Sequence, residues 1–260
     1  MLRSRTAAAA FSHISRSDLA AGLEVRIEEP TLIDQASANL CGPAAFVYDM
    51  AAHSRVIYVN FVIDLYENGK ATLGNFVIEP SDVLKQYQLP SRLKGGGKVP
   101  DPADWIPMAS IRNAKGSFVF WDRYDNVEDA ASGITTPGNL RTWLDEVGYQ
   151  KVVEKTSVAG LSRSDAKKSL AEAVAKTAEG YKVFLLIRST LLEGEEKQKK
   201  KSLGTFPNHW VVLESGFVAE TSVSLTVYSW GGKRKIPPSG SGWGIDDVAA
   251  RYYGFIAAQY

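Results

Sequence analysis

Nucleophilic chemistry in this chain can draw on a single cysteine, Cys41, a late histidine, His209, and a glutamine six residues before the cysteine, Gln35. A thiol attacks a carbonyl as its thiolate, and a free thiol has a pKa of about 8.5. Two features lower that value, a helix N-terminus and a neighbouring imidazolium. Asn39 followed by Leu40-Cys41-Gly42-Pro43 reads as a cap with proline in the first turn, which puts Cys41 at or near a helix start. The chain has three histidines. His13 lies in the N-terminal stretch, and His53 on a continuous helix would sit roughly 18 Å from Cys41 along the axis. His209 opens a late apolar run and is the base that a Cys–His pair needs from a separate element. The Gln35 amide and the backbone N–H of Cys41 can together hold a developing oxyanion. Each residue also has an ordinary reading. A lone cysteine in an Ala-rich helix is commonly core, a histidine beside Trp210 can be packed in a strand, and a glutamine can bond a turn. Their order and spacing favour the chemical reading.

Four anchors carry a resemblance: Gln35 to Cys41, then Cys41-Gly42-Pro43-Ala44, then His209-Trp210-Val211-Val212-Leu213, then Tyr228-Ser229-Trp230-Gly231. Together they resemble the papain-like cysteine peptidases, above all the bacterial branch of leader peptidases and injected effector or toxin peptidases. The resemblance implies an α+β fold with the nucleophile heading a helix in an N-terminal helical part and the histidine on a C-terminal antiparallel sheet. It implies hydrolysis through a thioester, as a peptidase or a protein glutamine deamidase, with acyl transfer as a variant. The roles it implies are Cys41 as nucleophile, His209 as base, Gln35 in the oxyanion hole and Trp230 as a shield over the pair. The implied substrate is a protein or peptide, with an immunity or host protein as a further partner. The implied setting is a bacterial effector or toxin, cytoplasmic in its producer or delivered into a target cell.

The chain departs from that pattern at the residue that orients the histidine. The family's Asn or Asp would fall at Tyr228 or Ser229. Strand alternation puts Ser229 on the face of Leu225 and Val227, so Ser229 is the expected orienter. A neutral acceptor stabilises imidazolium less than a carboxylate does. Glu214, Asp246 and Asp247 are the carboxylates that could stand in, and a degenerate enzyme is the third outcome.

The elements that must position these residues follow from periodicity. Ile57, Phe61 and Leu65 share a helical face ended by Asn68-Gly69, and Thr136-Pro137 opens a helix closed by Gly148. Ser162 and Asp165 form a capping pattern before a helix running to about Gly180. Lys151–Glu154, Tyr181–Arg188, His209–Glu214, Ser222–Trp230 and Tyr252–Ala258 read as strands, with the third and fourth paired antiparallel around Glu214–Ala219. Helices followed by a sheet argue for α+β. Residues 1–26, Arg- and Ser-rich at the start, read as a flexible N-terminal segment, 27–260 as a single domain, and about 70–135 as an irregular insertion.

Composition bounds the rest. The 260 residues are 45% hydrophobic and 23% charged with a net charge of +1, which gives no case for a nucleic-acid partner. No apolar run reaches the roughly 20 residues of a membrane helix, and Ala7–Phe11 is too short for a secretory signal. One cysteine excludes an internal disulfide, and no His, Cys and acid cluster has metal-ligand spacing, so neither metal nor other cofactor is expected. Gly95-Gly96-Gly97-Lys98 runs into Val99-Pro100 and fails as a phosphate loop. Ser239-Gly240-Ser241-Gly242 reads as loop, and Glu195–Lys201 as a charged connection between strands, a solvated tip or a docking site for an acidic surface. Two other functions stay open. One is a cell-wall amidohydrolase, although Leu40-Cys41-Gly42-Pro43 differs from the Asp-Cys-Ser-Gly context usual there. The other is a non-catalytic protein-binding module on the same scaffold.

Overall fold

The run from Gly42 to Ala51 has Asp49 as its one charged residue and no polar face, and it forms a helix buried on all sides. This helix, α2 (Cys41–His53), anchors the first of two units into which the chain divides, Met1–Gly148 with Trp230–Gly232; the second is Tyr149–Ser229 with Lys233–Tyr260. The computed structural model describes residues 8–116, 125–127, 135–193 and 206–260. The charged connection Glu195–Lys201 lies outside them.

In the first unit, α1 (Arg16–Glu28) is capped by Ser15, whose side chain accepts from the Asp18 N–H, and it buries Leu19 and Leu23 at helical spacing. Phe11, ahead of it, is also buried. Residues 16–26, the last part of the segment expected to be flexible, are therefore helix. The Arg- and Ser-rich composition concealed the Ser15 cap and the Leu19–Leu23 pair. Helix α3 (Arg55–Asn68) starts at the Ser54 cap and stops at Gly69, whose φ of 67° suits glycine. A hairpin follows, β1 (Ala71–Leu73) with β2 (Phe76–Ile78), then the short α4 (Asp82–Lys85). Helix α5 (Pro102–Lys115) has Asp101 as cap and Pro102 in its first turn, and it packs against α1, α2 and α3. It runs through the stretch expected to be irregular. Its residues are buried from Ala103 to Arg112 and it contains Pro107, so neither an amphipathic period nor a proline-free run marks it. Helix α6 (Pro137–Val147) starts and ends at the expected Thr136 and Gly148. Phe46 of α2, Phe76 of β2 and Trp143 of α6 meet ring to ring, with centroids 5.2 and 5.9 Å from that of Phe46.

The second unit is a six-stranded antiparallel sheet in the order β3-β8-β4-β5-β6-β7. Its strands are β3 (Gln150–Thr156), β4 (Lys182–Ile187), β5 (His209–Val218), β6 (Val223–Tyr228), β7 (Lys233–Ile236) and β8 (Tyr252–Gln259). Helix α7 (Arg163–Ala178) packs on β4, β5 and β8, and the short α8 (Ile245–Ala249) packs on α7. Val183, Leu185, Val211, Leu213, Leu225 and Val227 alternate onto the α7 side and form one core with Leu170 and Ala173. The sheet with its preceding helices makes the chain α+β. The β5–β6 turn is at Ala219–Ser222, where the Ala219 N–H donates to the Ser222 carbonyl, later than the expected Glu214–Ala219. The register shifts at Glu214, between Leu213↔Val227 and Ser215↔Thr226, so the chain bulges there and continues as strand.

Candidate active site

Cys41 is the first residue of α2 and is partly exposed. The cap position is Leu40, one residue after the expected Asn39, and no side chain caps the helix from it. The first helical bond runs from the Ala44 N–H to the Leu40 carbonyl, and Pro43 has no N–H to satisfy. The helix dipole thus favours negative charge where Cys41 stands. Gly42 packs against Thr135 so closely that a Cβ on it would lie 2.3 Å from Thr135 Oγ1.

Gln35 is 7% exposed, and its Oε1 has no hydrogen-bond partner among the described residues. The loop around it is tightly specified. The Ala38 N–H donates to the Gln35 carbonyl, Ser37 exchanges hydrogen bonds with the Lys98 backbone, and Ala36 adopts φ 52°. The Ala36 N–H donates to Asp34 Oδ1, and the Asp34 N–H to Asp104 Oδ2. Trp230 is partly buried with φ 48°, and Gly231, with φ 67°, lies against Asp34 so that a Cβ on it would be 3.0 Å from Asp34 Cβ. The Gln35 loop and the Trp230–Gly231 turn therefore adjoin through Asp34.

His209 begins β5 opposite Ile187 of β4 and is 5% exposed. Its Nε2 lies 2.7 Å from Ser229 Oγ. Ser229, also buried, directly follows β6. Extending the Val212↔Tyr228 register would set Ser229 opposite Val211, so His209 reaches it as a diagonal neighbour on one face. With the ring proton on Nε2 donated to Ser229 Oγ, the Nδ1 lone pair can take up a proton. Burial pushes the imidazole down to about 3, and the Arg234 guanidinium adds to this, so the resting ring is neutral. Arg234 faces Val227 from β7 and donates through Nε to the Ser229 carbonyl.

The three alternative carboxylates are engaged elsewhere. Glu214 lies 3.7 Å from Lys233 Nζ, Asp246 is 2.9 Å from Lys167 Nζ, and Asp247 Oδ2 accepts from the Gly244 N–H. His53 ends α2, at the far end from Cys41, and His13 is exposed. Among the described residues, no group of His, Cys, Asp and Glu is arranged to hold a metal, and no helix is long and apolar enough to cross a membrane.

Sequence reasoning missed Arg234 and the Arg26–Asp104–Asp34 chain. Arg234 reads as one of several cations in Lys233-Arg234-Lys235, and no local pattern reports its strand pairing. Arg26 and Asp104 are 78 positions apart and meet only when α1 packs on α5. Comparison with family models, curated proteins and solved structures finds no match.

Proposed function

We propose that this protein is a papain-like cysteine hydrolase that cleaves or deamidates a protein or peptide substrate through a thioester on Cys41. The observation that carries the reading is the 2.7 Å bond between buried His209 Nε2 and Ser229 Oγ. A histidine held at Nε2 is a base with a fixed ring, and Ser229 is the residue that strand alternation and the position of Trp230 single out. Cys41 at the first position of α2 supplies the other half.

The steps are those of acyl transfer. Cys41 Sγ attacks the substrate carbonyl carbon while its proton passes to His209 Nδ1. The carbonyl π pair moves onto oxygen, where the Cys41 N–H and the Gln35 amide donate to it. The intermediate collapses, the C–N bond breaks, and His209 returns the proton to the departing amine, or to ammonia from a glutamine side chain. Water then attacks the thioester with His209 as base, the C–S bond breaks, and a carboxylate and the thiol are released. A neutral resting imidazole is the form that can accept the thiol proton.

The test uses the single cysteine. Iodoacetamide labelling of native Cys41 at neutral pH, followed by intact mass, is expected to outpace labelling of the unfolded chain about tenfold or more, and to lose that advantage in His209→Gln. p-Nitrophenyl acetate is expected to acetylate Cys41 with a burst of p-nitrophenolate, absent in Cys41→Ala. Labelling no faster than the unfolded chain and indifferent to His209 overturns the reading. The scaffold would then be left as a binding module.

A further inference from the structure

Gln35 is held by its backbone. Its Oε1 makes no hydrogen bond among the described residues, so the amide is not fixed through its oxygen. The backbone on either side is built on one buried carboxylate. Asp104, fully buried, accepts two bonds from Arg26, Nε to Oδ1 at 3.1 Å and Nη2 to Oδ2 at 2.6 Å. Asp104 Oδ2 also accepts the Asp34 N–H at 3.1 Å. Asp34 Oδ1 in turn accepts the Ala36 N–H at 2.8 Å and holds Ala36 at φ 52°, a conformation an alanine seldom adopts unaided. Gln35 is thus suspended between two residues, each tied down by a carboxylate. A cavity of about 340 Å³ lies against Asp34, Ala36 and Asp104. On that side the loop borders open space.

We infer that Asp34 and Asp104 are positioning residues for Gln35, setting the backbone that presents its amide to the oxyanion; this rests on the thioester reading above. A loop free to relax at Ala36 would move the amide off the oxyanion while leaving the thiol and its base as they are. Displacements near 1 Å at such a donor can cost about 100-fold in rate.

The experiment compares two reactions of Cys41 in the full chain. Iodoacetamide alkylation displaces iodide at a saturated carbon and forms no oxyanion. Acetylation by p-nitrophenyl acetate forms a C–S bond, places the carbonyl electrons on oxygen, then expels p-nitrophenolate, and so it needs the oxyanion donors. The readout is the ratio of the acetylation to the alkylation rate, with Cys41→Ala as blank. Gln35→Ala is expected to lower the ratio about 100-fold. Asp34→Ala is expected to lower it about tenfold with alkylation unchanged. Asp34→Asn, which keeps an Oδ1 acceptor for the Ala36 N–H, is expected to restore it to near the wild-type value. Asp104→Asn puts an amide NH2 where an oxygen accepts from Arg26 or the Asp34 N–H and risks unfolding, so the two Asp34 variants carry the test. If Gln35→Ala lowers the ratio and Asp34→Ala does not, the positioning role is overturned and the thioester reading stands. If Asp34→Asn is as impaired as Asp34→Ala, hydrogen bonding to Ala36 is not the device and the inference fails. If Gln35→Ala leaves the ratio unchanged, the oxyanion assignment falls and takes the positioning role with it.

Discussion

His209 and Gln35 are both buried polar side chains, 5% and 7% exposed, yet they are held in different ways. His209 stands in a ladder. Its backbone pairs with Ile187, its strand pairs with β6, and its ring bonds Ser229 one residue past the end of β6. Sheet register sets that geometry, and a one-residue slip would turn the ring to the opposite face. Gln35 stands in a loop, where position depends on two carboxylates and a left-handed alanine. The comparison teaches that a group tied to strand pairing withstands local change, whereas a group in a loop depends on a few side chains far away in sequence.

The same contrast separates what surrounds each region. Beside Cys41 the tightest restraint is steric, Gly42 against Thr135. Gly42→Ala is expected to destabilise the protein by about 2 kcal/mol, because the new methyl overpacks a closed contact and outweighs the better helix propensity of alanine. It is also expected to depress Cys41 labelling by shifting the helix start. Adding Thr135→Gly should recover much of both, as urea midpoints and labelling rates will show. Loss of stability without loss of labelling would break the link between this contact and the nucleophile.

Acid distinguishes the regions by sign. His209 is held down at about 3 from its ordinary 6.5, chiefly by burial and then by Arg234. Between those values the unfolded chain binds the extra proton, so this stability is complete above pH 6.5 and is lost as the pH falls towards 3. Asp104 is pushed up from 3.8 to about 7 by burial, against the opposing pull of Arg26. There the folded chain holds the extra proton, so this stability is complete below pH 3.8 and is lost as the pH rises through 7. Urea midpoints between pH 4 and 6.5 are expected to rise less steeply with pH in His209→Gln and more steeply in Asp104→Asn than in wild type. A change of slope in the same direction for both variants would contradict the assignment of opposite linkages.

The smallest expected effect is a control on both units. Thr136 caps α6 in the first and Ser162 caps α7 in the second, each side chain accepting a backbone N–H. Thr136→Ala and Ser162→Ala are each expected to cost about 1 kcal/mol by thermal or urea unfolding, and Ser162→Ala to leave Cys41 labelling unchanged. Altered labelling in Ser162→Ala would show that a helix end in the second unit also tunes the thiol.

Much of the framework was legible because its signals are local. Thr136-Pro137 with Gly148, Ser162 with Asp165, and Gly69 after Asn68 mark helix ends through bonds made within a few residues. The continuous apolar run of β4 and the alternation that puts Ser229 on the face of Val227 are likewise properties of the strand itself. Helix α5 was not legible because it is buried nearly all round and has no amphipathic period, and α1 was masked by the composition of the residues before it.

For the candidate site, the amino-acid order by itself determined that a cysteine opens a helix, that a histidine opens a strand, and that a serine follows the strand paired with it. Each depends on neighbours in the chain or on period-two alternation, so each is written into short stretches of sequence. Only the tertiary structure decided that Ser229 Oγ rather than a carboxylate meets His209 Nε2, that Arg234 adds its charge there, and that Arg26, Asp104 and Asp34 hold the loop of Gln35. Those contacts join residues 20 to 78 positions apart, and no local preference encodes them. They arise when burial brings polar groups together and requires that they find partners.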